Sequence, residues 1–292
     1  MERQSLPVSD FSWMAPQAIH VKYNAGMKTR LGRMETQMLA YLQLRRQQVV
    51  RAGELTGPLR LSPVQERELF RRMVRGQLLA RVRPGLFVAP PRLPLGGAWT
   101  PSEALALNTL MADRGGRYQI CGPNAFNRYG LDDQMPNRYY VYNTVISGTR
   151  TIGTVTLMLI KVAATRLGAT EVDRNREGEE AVWASRVRTL VDAVYDWARF
   201  GSLPRGYRWI RKEVAARRVT ARQLVETALE FGDRATVRRI GWLLDAMDEP
   251  PRLVRALRDA LPASSGLVPL DPTAPRRGRA DRRWGVVVNA DV

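Results

Sequence analysis

The chain has 292 residues and carries 46 Lys and Arg against 28 Asp and Glu, a formal net charge of +18. Its length predicts two domains, and 45% hydrophobic residues suffice for a core in each, which excludes disorder throughout. One Cys and one His exclude an internal disulfide, a cysteine zinc cluster and a histidine-rich metal site, so no cofactor is expected, and a His-dependent triad would have to use His20 in an aperiodic stretch.

The first residues show no apolar signal-peptide core, so a cytoplasmic protein is expected. The apolar run 157–160, like the others in the chain, is far short of the ~20 residues a membrane span needs. Charge is uneven: residues 1–97 hold 16 basic and 6 acidic side chains, 98–184 hold 9 of each, and 185–292 hold 21 and 13. Two basic regions around a neutral middle favour a polyanionic partner, because each phosphate neutralised releases counterions.

Leu31, Met34, Met38, Leu39 and Leu42 recur at helical spacing and predict a first helix. Val49 and Val50 form a short apolar edge, followed by a brief second helix through Ala52, Glu54 and Leu55 that Gly57 and Pro58 stop. Ser62, Pro63 and Gln65 spell a capping box with proline at the first helical position. The third helix so begun runs to Gly76 and buries Leu69, Phe70 and Met73. Arg67, Arg71 and Arg75 form a stripe off that face, with Glu68 and Arg72 in the adjoining row. Two strands, around Leu78, Leu79 and Val82 and then Leu86, Phe87 and Val88, meet at a Pro84-Gly85 turn. Three helices and a hairpin predict a winged helix-turn-helix over 28–92, its third helix in the major groove. Gln65, Arg67, Glu68 and Arg71 are the candidates for base edges, supported by Arg72 and Arg75; Arg81 and Arg83 on the wing would reach phosphates or a narrow minor groove. The competing reading is a protein-interaction module whose arginines only solubilise a helix.

The proline-rich connector 90–97 predicts a domain boundary, with 93–292 as a second domain that folds without the first. Thr100, Pro101 and Glu103 read as another capping box before a helix through Leu105, Leu107, Leu110 and Met111. A strand at 118–121, a short helix at 123–129 and strands at 138–144 and 151–161 suggest an antiparallel sheet. From about Ala181 the chain reads as helical, with Val187, Leu190, Val191, Val194 and Trp197 on one face and later helices at 204–217, 220–231, 233–247 and 250–261. Late strands at 267–270 and 284–289 would return to the sheet. The fold class is therefore α+β: a winged helix-turn-helix, then a larger mixed domain of antiparallel sheet and helical bundle. The loop between the late strands carries Arg276, Arg277, Arg279, Arg282 and Arg283, suited to phosphates or an RNA backbone, or simply solvated. Arg238 and Arg239 are placed on the outer face of a helix that Val237, Ile240, Leu243 and Leu244 fix to the core. Cys121 reads as a small buried residue.

Enzyme signatures are missing. After residue 97 the only lysines are Lys161 and Lys212, and Leu159 and Ile210 stand where a PD-(D/E)xK nuclease needs a carboxylate. There is no P-loop and no HExxH, and Glu177, Glu179 and Glu180 read as a solvated loop or helix start.

The stretches RELFRRMVRGQLLARVRPGLFV, YQICGPNAFNRYGLDDQMPNRYYVYN, RTLVDAV, FGDRATVRRIGWLLDAM and the closing LDP to RWGVVVN, taken in order over about 28–290, resemble the AbiEi-type antitoxins of type IV toxin-antitoxin systems. The resemblance implies an antitoxin without enzymatic activity, belonging to abortive-infection phage defence. Its winged helix would bind operator DNA with inverted repeats and repress the operon. Its C-terminal domain would counteract a nucleotidyltransferase toxin, with Arg238, Arg239, Arg276, Arg277 and Arg279 as the candidate antitoxin surface. The extension 1–27 lies outside the resemblance. The alternative is an RNA-binding or nucleic-acid-processing protein that uses the basic C-terminal surface, with tRNA or another RNA as partner; no membrane partner is expected.

Overall fold

The computed structural model describes residues 31–93, 98–262 and 266–290; the extension 1–27, His20 included, lies outside them. The N-terminal unit runs α1 (Arg33–Leu44), β1 (Val49–Arg51), α2 (Pro63–Arg75), β2 (Ala80–Arg83) and β3 (Leu86–Val88). In α2 the expected capping box forms: Ser62 accepts from the Gln65 amide, and Gln65 accepts from the Ser62 amide. Gly76 ends the helix, while Leu69, Phe70 and Met73 are buried. The three strands pair antiparallel in the order β1-β3-β2, with a register shift between Arg81 and Arg83 and Gly85 in a left-handed turn at φ +76°. Met38, Leu42, Leu55 and Met73 pack with Phe70 and Phe87, whose rings stack 4.5 Å apart.

The brief second helix is replaced by consecutive turns over 52–60. Gly53 and Arg60 have positive φ there, which breaks helical propagation, and the backbone is held from outside. Glu66, buried in the first turn of α2, accepts from the Gly53 amide at 2.7 Å and the Leu55 amide at 2.9 Å. A carboxylate from the next helix thus satisfies two backbone donors of the turn segment.

After the connector comes α3 (Glu103–Arg114), whose cap is Ser102 rather than Thr100. Thr100 instead shares a 2.6 Å hydrogen bond with Thr154. Then follow β4 (Tyr118–Ile120), α4 (Pro123–Arg128), β5 (Tyr139–Asn143), β6 (Gly148–Ile152), β7 (Val155–Lys161), β8 (Thr170–Arg174) and β9 (Glu180–Ala184). They form one sheet ordered β6-β7-β5-β4-β9-β8, and it is mixed rather than antiparallel. The strand expected over 151–161 is a hairpin that turns at Gly153; it sends β6 to the edge and leaves β7 parallel to β5. Similarly β9 lies parallel to β4, and the chain near Ala181 is a strand, its Ala181 and Trp183 facing the core.

The helical part comprises α5 (Arg186–Tyr195), α6 (Trp197–Phe200), α7 (Arg205–Ala215), α8 (Ala221–Phe231), α9 (Arg234–Asp245) and α10 (Pro251–Asp259). Beyond it β10 (Val268–Pro269), β11 (Arg279–Asp281) and β12 (Val286–Val288) form a separate sheet, ordered β10-β12-β11. This small sheet does not rejoin the large one. It packs on α9, where Gly241 leaves room for Trp284: a Cβ at Gly241 would meet that ring at 2.1 Å. The Trp284 indole donates to Asp245 at 2.9 Å.

Two features tie the layers together. Ala80, Val82, Leu86 and Val88 of the N-terminal sheet share an apolar cluster with Leu107, Leu110 and Met111 of α3 and Ile152 and Leu157 of the large sheet. Within the second unit, Arg188 and Asp192 on α5 are fully buried. Arg188 donates to Asp192 and to the carbonyls of Arg166 and Gly168, while Arg166 reaches Asp192 at 2.5 Å and lies 3.7 Å from the centre of the Tyr195 ring. A buried charge pair is tolerable only when its other donors are also satisfied; the Gly168 and Arg166 carbonyls do this for Arg188, while Asp192 Oδ2 and Arg166 Nε have no hydrogen-bond partner among the described residues.

Candidate nucleic-acid interface

The capped start of α2 fixes the helix so that its apolar stripe enters the core and the opposite stripe faces solvent. Arg67, Arg71 and Arg75 are exposed on it, and Arg81 is exposed on β2. Arg67, Arg71 and Arg81 rim a depression of about 310 Å³ between α2 and the hairpin, floored by Phe70, Val74 and Phe87. Arg67, Arg75 and Arg81 have no hydrogen-bond or ion-pair partner among the described residues. Arg71 donates through Nε and Nη2 to both Glu68 oxygens at 2.8 Å. The hydrogen bond from Arg71 holds the Glu68 carboxyl below its usual range, so the pair stays ionised near neutral pH. It also fixes the guanidinium plane and leaves Nη1 and the outer hydrogen of Nη2 facing outward.

Three other expected contacts are spent elsewhere. Arg83, still partly exposed, is tied to the second unit: Nε and Nη2 donate to the two Asp113 oxygens at 2.7 and 2.6 Å, and Nη1 donates to the Pro84 carbonyl. That bidentate bond lowers the Asp113 pKa, with Arg114 and Arg51 adding to it. Arg72 turns to α1 and pairs with Glu35 at 2.9 Å. Gln65 spends its carbonyl oxygen on the helix cap.

The C-terminal basic candidates divide in the same way. Arg276, Arg277 and Arg279 are exposed, as is Arg282, whereas Arg283 pairs with Asp245 at 2.7 Å. Arg238 and Arg239 are not on an outer face, being 8% and 5% exposed. Arg238 donates to the Gly266 carbonyl at 2.6 Å and Arg239 to the Pro269 carbonyl at 3.1 Å, so both pin the segment leading into β10. Burial lowers the Arg239 pKa. The small sheet covers the side of α9 that the sequence pattern left open. Cys121 is fully buried, and desolvation pushes its thiol pKa well up. Among the described residues no group of three or more His, Cys, Asp or Glu could hold a metal ion, and no helix is long and apolar enough to cross a membrane.

Glu66 and Asp113 are the residues that sequence reasoning missed. An acidic residue in a first helical turn signals only a favourable dipole, and the partner of Glu66 is a turn rather than a charge. Asp113 beside Arg114 at a helix end gives no sign that its partner lies 30 residues earlier.

No protein-family model and no curated protein matches the chain. Among solved structures it is similar to the RV2827C protein from Mycobacterium tuberculosis, with 17% sequence identity, a TM-score of 0.59, and coverage of 90% of this chain and 94% of that one. At that identity the likeness concerns the fold: the α+β arrangement is shared over nearly the whole length of both chains.

Proposed function

We propose that the protein is a DNA-binding autorepressor and antitoxin of the AbiEi kind. Residues 28–92 act as a winged helix-turn-helix with α2 as the recognition helix and β2-β3 as the wing. The observation that carries this reading is the arginine-rimmed depression between α2 and the hairpin, where Arg67 and Arg81 are left without acidic partners. Guanidinium groups on two adjacent elements, one able to enter a major groove and one flanking it, suit a phosphate strand running between them. Arg71, held flat by Glu68, is the residue best prepared for bidentate contact with guanine.

The antitoxin half of the proposal rests on the sequence resemblance together with the exposed Arg276, Arg277 and Arg279 of the C-terminal loop. Arg238 and Arg239 leave that surface because they serve the fold. Two experiments test the proposal. Mobility shift of the upstream region with its inverted repeats, against random duplex at physiological salt, should show a large preference for the operator. Co-expression with the neighbouring nucleotidyltransferase should restore growth. Equal affinity for both duplexes would remove the repressor role, and absence of rescue would remove the antitoxin role.

A further inference from the structure

A second cleft lies wholly in the C-terminal unit, between the start of α4, the 132–138 loop, the start of β5 and the junction of α6 with α7. Its volume is about 410 Å³, within the range of small-ligand sites. One wall is aromatic: Phe126, Tyr140 and Phe200 meet edge to face, with Phe200 5.8 Å from Phe126 and 5.9 Å from Tyr140. Gly122 makes that wall possible, since it sits at φ +57° and any Cβ there would come within 2.5 Å of the Phe200 ring.

The polar side is equally built. Buried Asn124 accepts from the Tyr140 amide at 2.8 Å and donates to the Arg138 carbonyl at 3.1 Å. It therefore fixes the backbone on which Arg138 and Tyr140, two residues apart, both line the cleft. Asp132 is fully used, accepting from the Gln134 amide and from Arg205 at 2.9 Å. With the one carboxylate of the lining neutralised by Arg205, the half-buried Arg138 guanidinium keeps only a long 3.4 Å hydrogen bond to Asn137. The cleft thus offers one unspent cation beside an aromatic wall, with the Asn137 and Gln134 amides at its lip.

We propose that this cleft seats one nucleotide, taken from a single-stranded nucleic acid, with its phosphate on Arg138 and its base against the Tyr140 ring, which the buried Phe200 backs. Stacking combined with a guanidinium contact is how single strands are held without sequence preference, and side-chain amides match the edges of an unpaired base. None of the lining residues belongs to the N-terminal unit, so the site is independent of the duplex-binding face proposed above.

The test uses the full chain and fluorescence anisotropy with a short labelled oligouridine, a labelled operator duplex, and uridine monophosphate as competitor. Arg138→Gln and Tyr140→Leu should each weaken oligouridine binding about tenfold or more, while duplex binding stays as in the wild type. Arg222→Gln, exposed on α8 and outside the cleft lining, should bind oligouridine almost as the wild type does. Competition by the mononucleotide would identify a free nucleotide as an occupant, and failure to compete would identify the strand; both retain the site. If Tyr140→Leu lowers the thermal midpoint, Arg138→Gln alone decides. Wild-type oligouridine affinity in Arg138→Gln, or an equal loss in Arg222→Gln or on duplex DNA, would overturn the proposal.

Discussion

At the scale of single residues, an arginine contributes what its surroundings leave unspent. Arg67 and Arg81 are exposed and unpaired, whereas Arg83 has every guanidinium nitrogen engaged. Arg67→Ala and Arg81→Ala should therefore lower operator affinity and flatten its salt dependence by about one unit of log-log slope each. Arg71→Ala should cost about tenfold or more and relax preference at one base pair. Arg83→Ala should act on stability instead, leaving the affinity of the folded fraction unchanged; titrations at several salt concentrations separate the two effects. Inside the second unit, Asp192→Ala strands Arg188 and leaves Arg166 without its carboxylate. Removing one partner of such a buried cluster costs about 3–5 kcal/mol, read from the shift of a urea denaturation midpoint. Replacement of Arg239 by Met should be milder, since it forfeits one bond to the Pro269 carbonyl, about 1–3 kcal/mol, and preserves most of the buried volume.

At the scale of elements, what was legible depended on whether the determining partner is near in sequence. Capping signals lie within four residues, so α2 starts where Ser62 with Gln65 places it, whereas the same pattern at Thr100 with Glu103 yields to Ser102, two residues later. Helices α7 to α10 follow from their apolar periodicity, within the one or two residues by which such boundaries drift. The 52–60 segment was misread because Glu66 holds it from α2, and the parallel pairing of β5 with β7 because alternation along a strand does not encode its neighbour. The α2 stripe was legible from helical geometry alone, while the loss of Arg83 to Asp113, and of Arg238 and Arg239 to the core, follows from packing between distant segments. The Arg83–Asp113 pair also gives a pH test of how the hairpin is tied to α3. The folded pKa of Asp113 lies below its unfolded value, so the pair stabilises above that value, near pH 4, and its contribution is lost as pH falls through the folded pKa. Asp113→Asn should thus lower the thermal midpoint at pH 7, and the gap from the wild type should close in acid below about pH 4. A gap that stays constant with pH would show that the substitution acts through packing alone.

At the scale of the whole molecule, the proline-rich connector and the packing make opposite statements. The connector suggests two units that separate, but the N-terminal sheet contributes Ala80, Val82, Leu86 and Val88 to a cluster that also contains α3 and strands of the large sheet. Thr100 bonds Thr154, and the Trp99 amide donates to the Gln77 carbonyl at 2.7 Å, so the chain just after the connector is itself fastened to both sides. A fragment beginning at Ala98 would expose the apolar faces of α3 and of the β6-β7 hairpin that this sheet now covers. Exposed apolar area both removes stabilisation, at about 25 cal/mol per Å², and promotes association. Its fate is decided against the charge: the fragment keeps the basic C-terminal half, and self-repulsion opposes aggregation without restoring the missing contacts. The expected outcome is a soluble fragment with a thermal midpoint well below that of the intact chain, increased binding of a hydrophobic dye, and recovery of the midpoint when residues 28–92 are supplied in trans. A fragment that melts like the intact protein and binds no dye would mean that the shared cluster contributes nothing to stability, and that the connector alone defines the boundary.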